Sequence, residues 1–378
     1  MFLFLSEWGY NRGCPAIFKS ASEKPKPKIP NANRGNMMKY AKTGLALLAA
    51  LGAGFWAGRR YARRSGARVA GPRYLIVNAD DFGLSDGVTA GILRAWREGV
   101  VTSTSAIVNV AGAPERIAAA HAAHPHLPIG LHLNTTTGRP VLPPEQVPSL
   151  VDAEGNFHNR FTVFQHLHTI SLAELRAELN AQAELLLQTG VRFDHIDYHQ
   201  HLMVLHTPFY PLVCELACKY RVPVRQPVPE AFYGQIRVKG GLGSGAIIQT
   251  ALEVAAHYPD VAMRLVPAMM PGTYRKQAAL LQTEGIRTTN WLVTALYDRA
   301  TVENFISVLR QLPPGVSEIV MHPAILDDQL QALGGGYVEQ RVDELAMLTD
   351  PRVRAAFEEY HITPVDFSFV QEGGGTPA

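Results

Sequence analysis

From Tyr74 onward the chain switches repeatedly between short apolar runs and stretches whose apolar residues recur every three or four positions. "YLIV" (74–77), "SAIVNV" (105–110), "IGLHL" (129–133), "FDHIDYH" (193–199), "VPVRQ" (222–226), "NWLVTAL" (290–296) and "EIVMH" (318–322) are predicted strands. Between them Val88, Ile92, Leu93 and Trp96 keep helical spacing. Residues 172–188 form a firmer predicted helix, opened by the capping box Ser171-x-x-Glu174 and stopped near Gly190. A helix over 301–312 ends at Pro313-Pro314, and Asp350-Pro351 caps the last one. Strands alternating with helices imply parallel βα units, as a barrel or a doubly wound sheet. Asp80, Asp81, His132, His199 and His322 all fall at or just past strand ends, where a barrel gathers its chemistry. The expectation is an α/β fold, an irregular (β/α) barrel of about seven parallel strands, over residues 73–370.

With 378 residues, 47% of them hydrophobic, the chain can bury such a core as one domain. Its net charge of +2 conceals an asymmetry. Residues 1–72 carry 13 Lys/Arg against Glu7 and Glu23, a net of +11. The other 22 basic and 31 acidic residues leave residues 73–378 at −9. An acidic body argues against a nucleic-acid groove, because phosphate binding needs a basic surface on the folded part. Cys14, Cys214 and Cys218 make no disulfide framework. Cys214 and Cys218, four apart on a predicted helix, are expected to pack as small hydrophobes in a reducing compartment.

Residues 1–42 are expected to be a disordered basic tail, with proline and lysine alternating in "SASEKPKPKIPNANRGN". Residues 43–58, "TGLALLAALGAGFWAG", carry no charge, and a basic linker (59–72) with Arg59, Arg60, Arg63, Arg64 and Arg68 follows. The apolar segment is shorter than the about 20 residues of a normal span. Three readings stay open: a single-span anchor with the arginines on the cytoplasmic side, a signal peptide without a clean cleavage site, or a surface helix near an over-long start. Membrane contact would run through residues 43–64, at the cytoplasmic face; otherwise the protein is cytoplasmic. Residues 371–378 are expected to be a disordered C-terminus. The glycines of "AFYGQIRVKGGLGSGA" (231–246) lack the Lys-Ser/Thr of a phosphate loop, so a flexible loop at the pocket rim is expected.

The chemistry concentrates in a few stretches. In "HIDYHQH", His195, Asp197, His199 and His201 are spaced by two, so an extended chain aims all four at one side. In "GLHLN", His132 and Asn134 share a face opposite Leu131 and Leu133. A carboxylate and two imidazoles from three strand ends make an open metal site, with room for the water and substrate of a hydrolytic reaction. "YLIVNADDFGLSDG" (74–87) sets Asp80 beside Asp81 where a strand meets a turn that Gly83 and Gly87 permit. There both carboxylates can reach one pocket, one binding a cation while its neighbour takes a proton from water. Alternatively, one of them only caps the helix that begins near Ser85.

"IVNADDFGLS", "GLHLN", "HIDYHQH" and "MHPAILDD", in that order, resemble the motifs of the YdjC-like carbohydrate deacetylases, which include chitooligosaccharide and hopanoid-biosynthesis deacetylases. The likeness runs from about residue 73 to about residue 368. It implies an irregular barrel that removes an N-acetyl group from an amino sugar with one divalent ion, magnesium first and zinc as the alternative. It implies Asp81, His132 and His199 as metal ligands and Asp80 as general base. It implies His322 as a proton donor to the leaving amine, with His201 the other candidate, and Arg225 as the residue orienting Asp80. Asp197, His201 and Asn134 are expected around the ligands or against the substrate. Met203 stands where relatives often continue the histidine run, and is expected on the substrate side. Phe82, Trp291 and Tyr233 are candidates for stacking on a sugar or for the core. Two rivals remain: a barrel glycosidase using Asp80 or Asp81 with Asp197, and a non-catalytic, membrane-tethered sugar-binding protein.

Overall fold

The computed structural model describes residues 71–160, 162–229, 236, 238–239, 271–297, 299–333 and 337–374. Residues 1–70, with the apolar segment 43–58, lie outside them, as do Tyr233 and most of the glycine-rich stretch 231–246. Among the described residues no helix is long and apolar enough to cross a membrane.

The apolar run at Tyr74 becomes strand β1 (Arg73–Phe82), buried from Leu75 onward. A strand buried on both faces belongs inside a parallel sheet covered by helices. The sheet continues with β2 (Ser103–Ala106), β3 (Ile129–Leu133), β4 (Ile196–Tyr198), β5 (Trp291–Val293), β6 (Gly315–Met321) and β7 (Ile362–Pro364). All pair in parallel in the order β4-β3-β2-β1-β6-β5. Strand β6 follows β1 from Arg73 to Ala79, while β7 and β2 share its length, at 73–75 and from Asn78 on.

The predicted strand at 222–226 does not form. Val224 bridges Ile196 of β4, and Pro229 bridges Leu292 of β5, each as an isolated parallel contact. Pro223, Pro227 and Pro229 carry no N–H, so this segment cannot sustain a ladder. It still spans the gap between the terminal strands, and the α/β architecture is an irregular barrel as expected. Strand β7, in "HITPVDF", was not legible because only Ile362 of its three residues is buried.

Helices α1 (Asp86–Glu98), α2 (Ala113–Ala123), α3 (Leu172–Gln188), α4 (Tyr210–Tyr220), α5 (Pro271–Thr283), α6 (Val302–Gln311), α7 (Val338–Leu348) and α8 (Pro351–Glu359) surround the sheet. Ser85, not either aspartate, caps α1, its side chain accepting from the Val88 N–H. Ser171 and Asp350 cap α3 and α8 as their sequences suggest, and Thr301 caps α6. The capping box at Ser171 is only half closed: the Glu174 carboxylate accepts from Ser149 instead of reaching back. Cys214 is buried, whereas Cys218, one turn on, is exposed.

Alternation along the strands layers the barrel interior. Leu75, Val77 and Ala79 join the main core, while Ile76, Asn78 and Asp80 share the opposite, inner face. Ile76, Val316, Phe367 and Val370 form an apolar floor there. His195 lies on that floor, its ring stacked on Phe367 with centroids 3.7 Å apart. Order reaches past residue 370, since Gln371 donates to the Arg221 carbonyl and Arg287 donates to Gln371. The expected C-terminal disorder therefore starts too early at 371.

Candidate active site and metal centre

The adjacent acids occupy a break in β1. Three residue steps from Ala79 to Phe82 face two steps from Thr104 to Ala106, so one extra residue is bulged out. Asp81 adopts φ 73°, a left-handed conformation that costs a non-glycine residue energy. The bulge cancels the normal alternation, so Asp80 and Asp81 both reach the top of the barrel.

Asp81 Oδ1 lies 3.0 Å from His199 Nδ1 and 3.3 Å from His132 Nε2, and those nitrogens are 3.3 Å apart. Three donors held about 2.1 Å from one ion, at angles between octahedral and tetrahedral, stand about 3.0–3.4 Å apart. Asp81 Oδ1 is buried and has no hydrogen bond among the described residues. Charge points the same way: three carboxylates (Asp80, Asp81, Asp197) face two guanidiniums, of Arg225 and Arg341. The residues present therefore fit a divalent cation. Asp80, His132 and Asp197 make a second cluster, but Arg225 Nη2 sits 2.6 Å from both of its carboxylates and takes the place of an ion there.

The ligand rings are held from behind. His132 Nδ1 is 2.7 Å from Asp197 Oδ1, which also accepts through its other oxygen from Ser105 and Asn78. That contact leaves Nε2 facing the centre. His199 Nε2 meets the Thr137 hydroxyl at 3.2 Å, which turns Nδ1 inward. Asn134 accepts from the backbone N–H groups of Thr136 and Thr137 and donates to Asn109. It folds the loop that presents Thr137, and so it supports His199 from a distance.

Arg225 is the largest fully buried side chain among the described residues, delivered by the proline-rich segment between β4 and β5. It grips Asp80 through two parallel hydrogen bonds of 2.6 and 2.7 Å and donates through Nε to Glu318 at 2.7 Å. Burial alone would raise Asp80, but the charge and hydrogen bonds of Arg225, with His132 and His322, hold it well below the carboxylate range. Burial would likewise depress His132, yet Asp197 and Asp80 carry it up to about 10 when no ion is bound. Burial and then Arg341 push His322 down to about 4, and burial with Arg225 holds His201 well below the usual histidine value. Both imidazoles are neutral at neutral pH.

The structure brings Asp80, Asp81, His132, His199 and Arg225 together and places other expected site residues elsewhere. His195 lies below the site, stacked on Phe367 of the floor, and beyond Tyr198 the chain stops being extended, with Gln200 and His201 both at φ 53°. His201 turns with the chain and stays near enough to feel Arg225, Asp80 and His132. Met203 is core, 1% exposed in the short helix Leu202–Leu205, and does not face a substrate. Phe82 is core as well. Trp291 opens β5 at the end of the barrel away from the site and donates to the Pro314 carbonyl. Missed were Asn78, Ser105, Thr137, Glu318 and Arg341. Glu318 was findable as a charge inside a buried strand. Arg341 and Glu344 occupy helix positions that, with Leu345 and Leu348, should form the apolar stripe of α7.

The YdjC-like protein family model matches residues 74–359. The chain belongs to this family. Membership places it among the hydrolases of carbon–nitrogen bonds outside peptides. A Brevibacillus brevis protein named carbohydrate deacetylase is 34% identical over 297 residues, covering 78% of this chain and 98% of its own. A Geobacillus stearothermophilus protein of the same name is 34% identical over 289 residues, covering 76% and 94%. A solved Enterococcus faecalis structure, described as a candidate cellobiose-phosphate cleavage protein, superposes with a TM-score of 0.61 at 29% identity. It covers 79% of this YdjC-like chain and 98% of its own.

Proposed function

We propose that this YdjC-like protein is a metal-dependent deacetylase that hydrolyses the N-acetyl group of an amino sugar, a chito-oligosaccharide or a lipid-linked N-acetylglucosamine. The observation that carries this reading is the triangle of Asp81 Oδ1, His132 Nε2 and His199 Nδ1 beside the spare carboxylate of Asp80. A divalent ion on those three would supply a more acidic water and a polarised acetamide carbonyl. Two imidazoles and a carboxylate suit zinc, whereas the family resemblance implies magnesium; reloading metal-free protein with each separates them.

Asp80 stays ionised, and Arg225 and Asn78 fix its orientation, so it can take the proton that the water gives up. A carboxylate held that low is a weak base, which is why it needs an acidified water. Neither His322 nor His201 stores a proton at neutral pH, so the proton reaching the leaving nitrogen is the one the water lost, with His322 as its carrier. Asp197 and Thr137 keep the ligand rings aimed at the centre. The glycosidase alternative fits poorly, because Asp80 and Asp197 are buried on one shared guanidinium nitrogen with no space for a sugar between them. The same reading assigns catalysis to residues 73–370. It leaves 43–58 as a candidate anchor, which would favour a lipid-linked substrate.

Acetate release from N-acetylglucosamine oligomers and lipid-linked amino sugars tests this reading. Release should stop with a chelator and return with added metal. Asp80→Asn should keep its metal while turnover drops about a thousand-fold. Chelator-insensitive release, or parental turnover in D80N, would sink the assignment.

A further inference from the structure

The deacetylase reading leaves one buried cation without an assigned task. Arg341, on α7, is 8% exposed and touches Asp81 end-on, through Nη2 to Oδ2 at 2.6 Å. Its other terminal nitrogen, Nη1, is buried and has no hydrogen-bond partner among the described residues. His322 Nδ1 is in the same position. The two orphaned groups are neighbours: Arg341 Cζ lies 5.6 Å from the centroid of Tyr337, His322 packs edge-on against the same ring at 5.1 Å, and the guanidinium charge acts on the imidazole. Glu344 anchors this corner, accepting from the His322 backbone N–H and the Tyr337 hydroxyl.

An unpaired N–H on a buried cation is costly, and in native proteins such a group is completed by an ordered water or ion or is kept for a catalytic role. Asp81 keeps Oδ1 for the cation, so Arg341 has only Oδ2 to hold and cannot make the two-pronged grip that Arg225 makes on Asp80. One prong is spent on the metal-facing carboxylate and the other is left over. The spare prong belongs to the guanidinium that holds Asp81 and whose charge reaches His322, so it stands near the two groups that a reacting acyl group would have to meet.

We propose that Arg341 is a catalytic residue whose Nη1 donates to the acyl oxygen of bound substrate and to a carboxylate oxygen of the acetate product. As the water oxygen bonds to the carbonyl carbon, the π pair moves onto the acyl oxygen, where Arg341 meets the new charge. The pair then returns, the carbon–nitrogen bond breaks, and nitrogen keeps its electrons and takes the proton the water first lost. The remaining acid proton leaves, and acetate stays against the guanidinium.

Arg341→Gln and Arg341→Lys in the full chain test this, with acetate itself as the probe. Binding of 13C-acetate to metal-free and to metal-loaded protein should weaken at least tenfold in R341Q. At saturating metal, kcat should drop about a hundred-fold or more with KM little changed, and guanidinium added to Arg341→Ala should restore part of it. If excess metal alone returns kcat to the parental value, or acetate binds every variant equally, Arg341 only holds Asp81 and the proposal falls. Should wild type release no acetate from any sugar, the deacetylase reading fails, while the acetate-binding comparison still decides the site. R341K keeps the charge and covers the case in which R341Q does not fold.

Discussion

Asp80 and Asp81 are separated by one peptide bond and by the cations that hold them. Arg225 closes both oxygens of Asp80, whereas Arg341 takes one oxygen of Asp81 and leaves the other facing two imidazoles. On the proposed reading, partner number, not residue type, suits one acid to proton transfer and the other to the cation. Farther from the ligands, Glu344 shows how burial alone stores a proton. Burial raises it to about 7, although Tyr337, the His322 N–H, Gln340 and Arg341 all favour its charged form. An unfolded glutamate releases its proton near 4.5. Between those values the unfolded chain binds fewer protons than the folded one, so this group subtracts stability as pH rises, fully so above about 7. Glu344→Gln should therefore gain on the parent in urea midpoint from pH 5 to pH 8. Parallel pH profiles for the two would contradict the shifted proton.

Elements set these residues by close approach. On α1, a Cβ at Gly87 would stand 2.1 Å from the Ile325 carbonyl oxygen, and one at Gly91 would stand 2.5 Å from Ala324 Cα. The bare face of the helix lets the segment after His322 lie flush and fixes where that histidine enters the site. Within the barrel, Gly130 of β3 leaves the space that the His195 ring fills, a Cβ there coming within 2.2 Å of it. The ring cannot step aside, because it is fully buried, stacked on Phe367 and bonded to Asp194 at 2.6 Å. Gly130→Ala should destabilise the fold by about 1–3 kcal/mol in urea unfolding. An unchanged midpoint would mean that the His195 layer has slack.

Across the whole molecule the interior reads upward from an apolar floor, through the His195, Glu318 and Arg225 layer, to the open triad. Each layer draws on strands far apart in sequence, so the centre exists only when the barrel closes. Whatever binds it must then stabilise the fold. Adding divalent metal at about 100 times its Kd supplies about 2.7 kcal/mol, raising Tm by roughly 4–8 °C. Scanning calorimetry of the metal-free protein with and without zinc or magnesium measures the shift. Asp81→Asn should abolish it, and a shift that survives that change would place the ion elsewhere.

The sequence by itself determined the alternation of strands and helices, the caps at Ser171 and Asp350, and the set of acids and imidazoles at strand ends. These follow from local periodicity and from the cost of burying polar groups, both written in neighbouring residues. It could not separate His195 from His199, because the two-residue spacing holds only while the chain stays extended, and it bends after Tyr198. Nor could it supply Arg341, Thr137 or the second partner of Arg225, whose roles arise from contacts up to 260 residues apart. The bulge at Asp81 belongs with them: one extra residue against β2 is a property of pairing, and only the closed sheet could decide it.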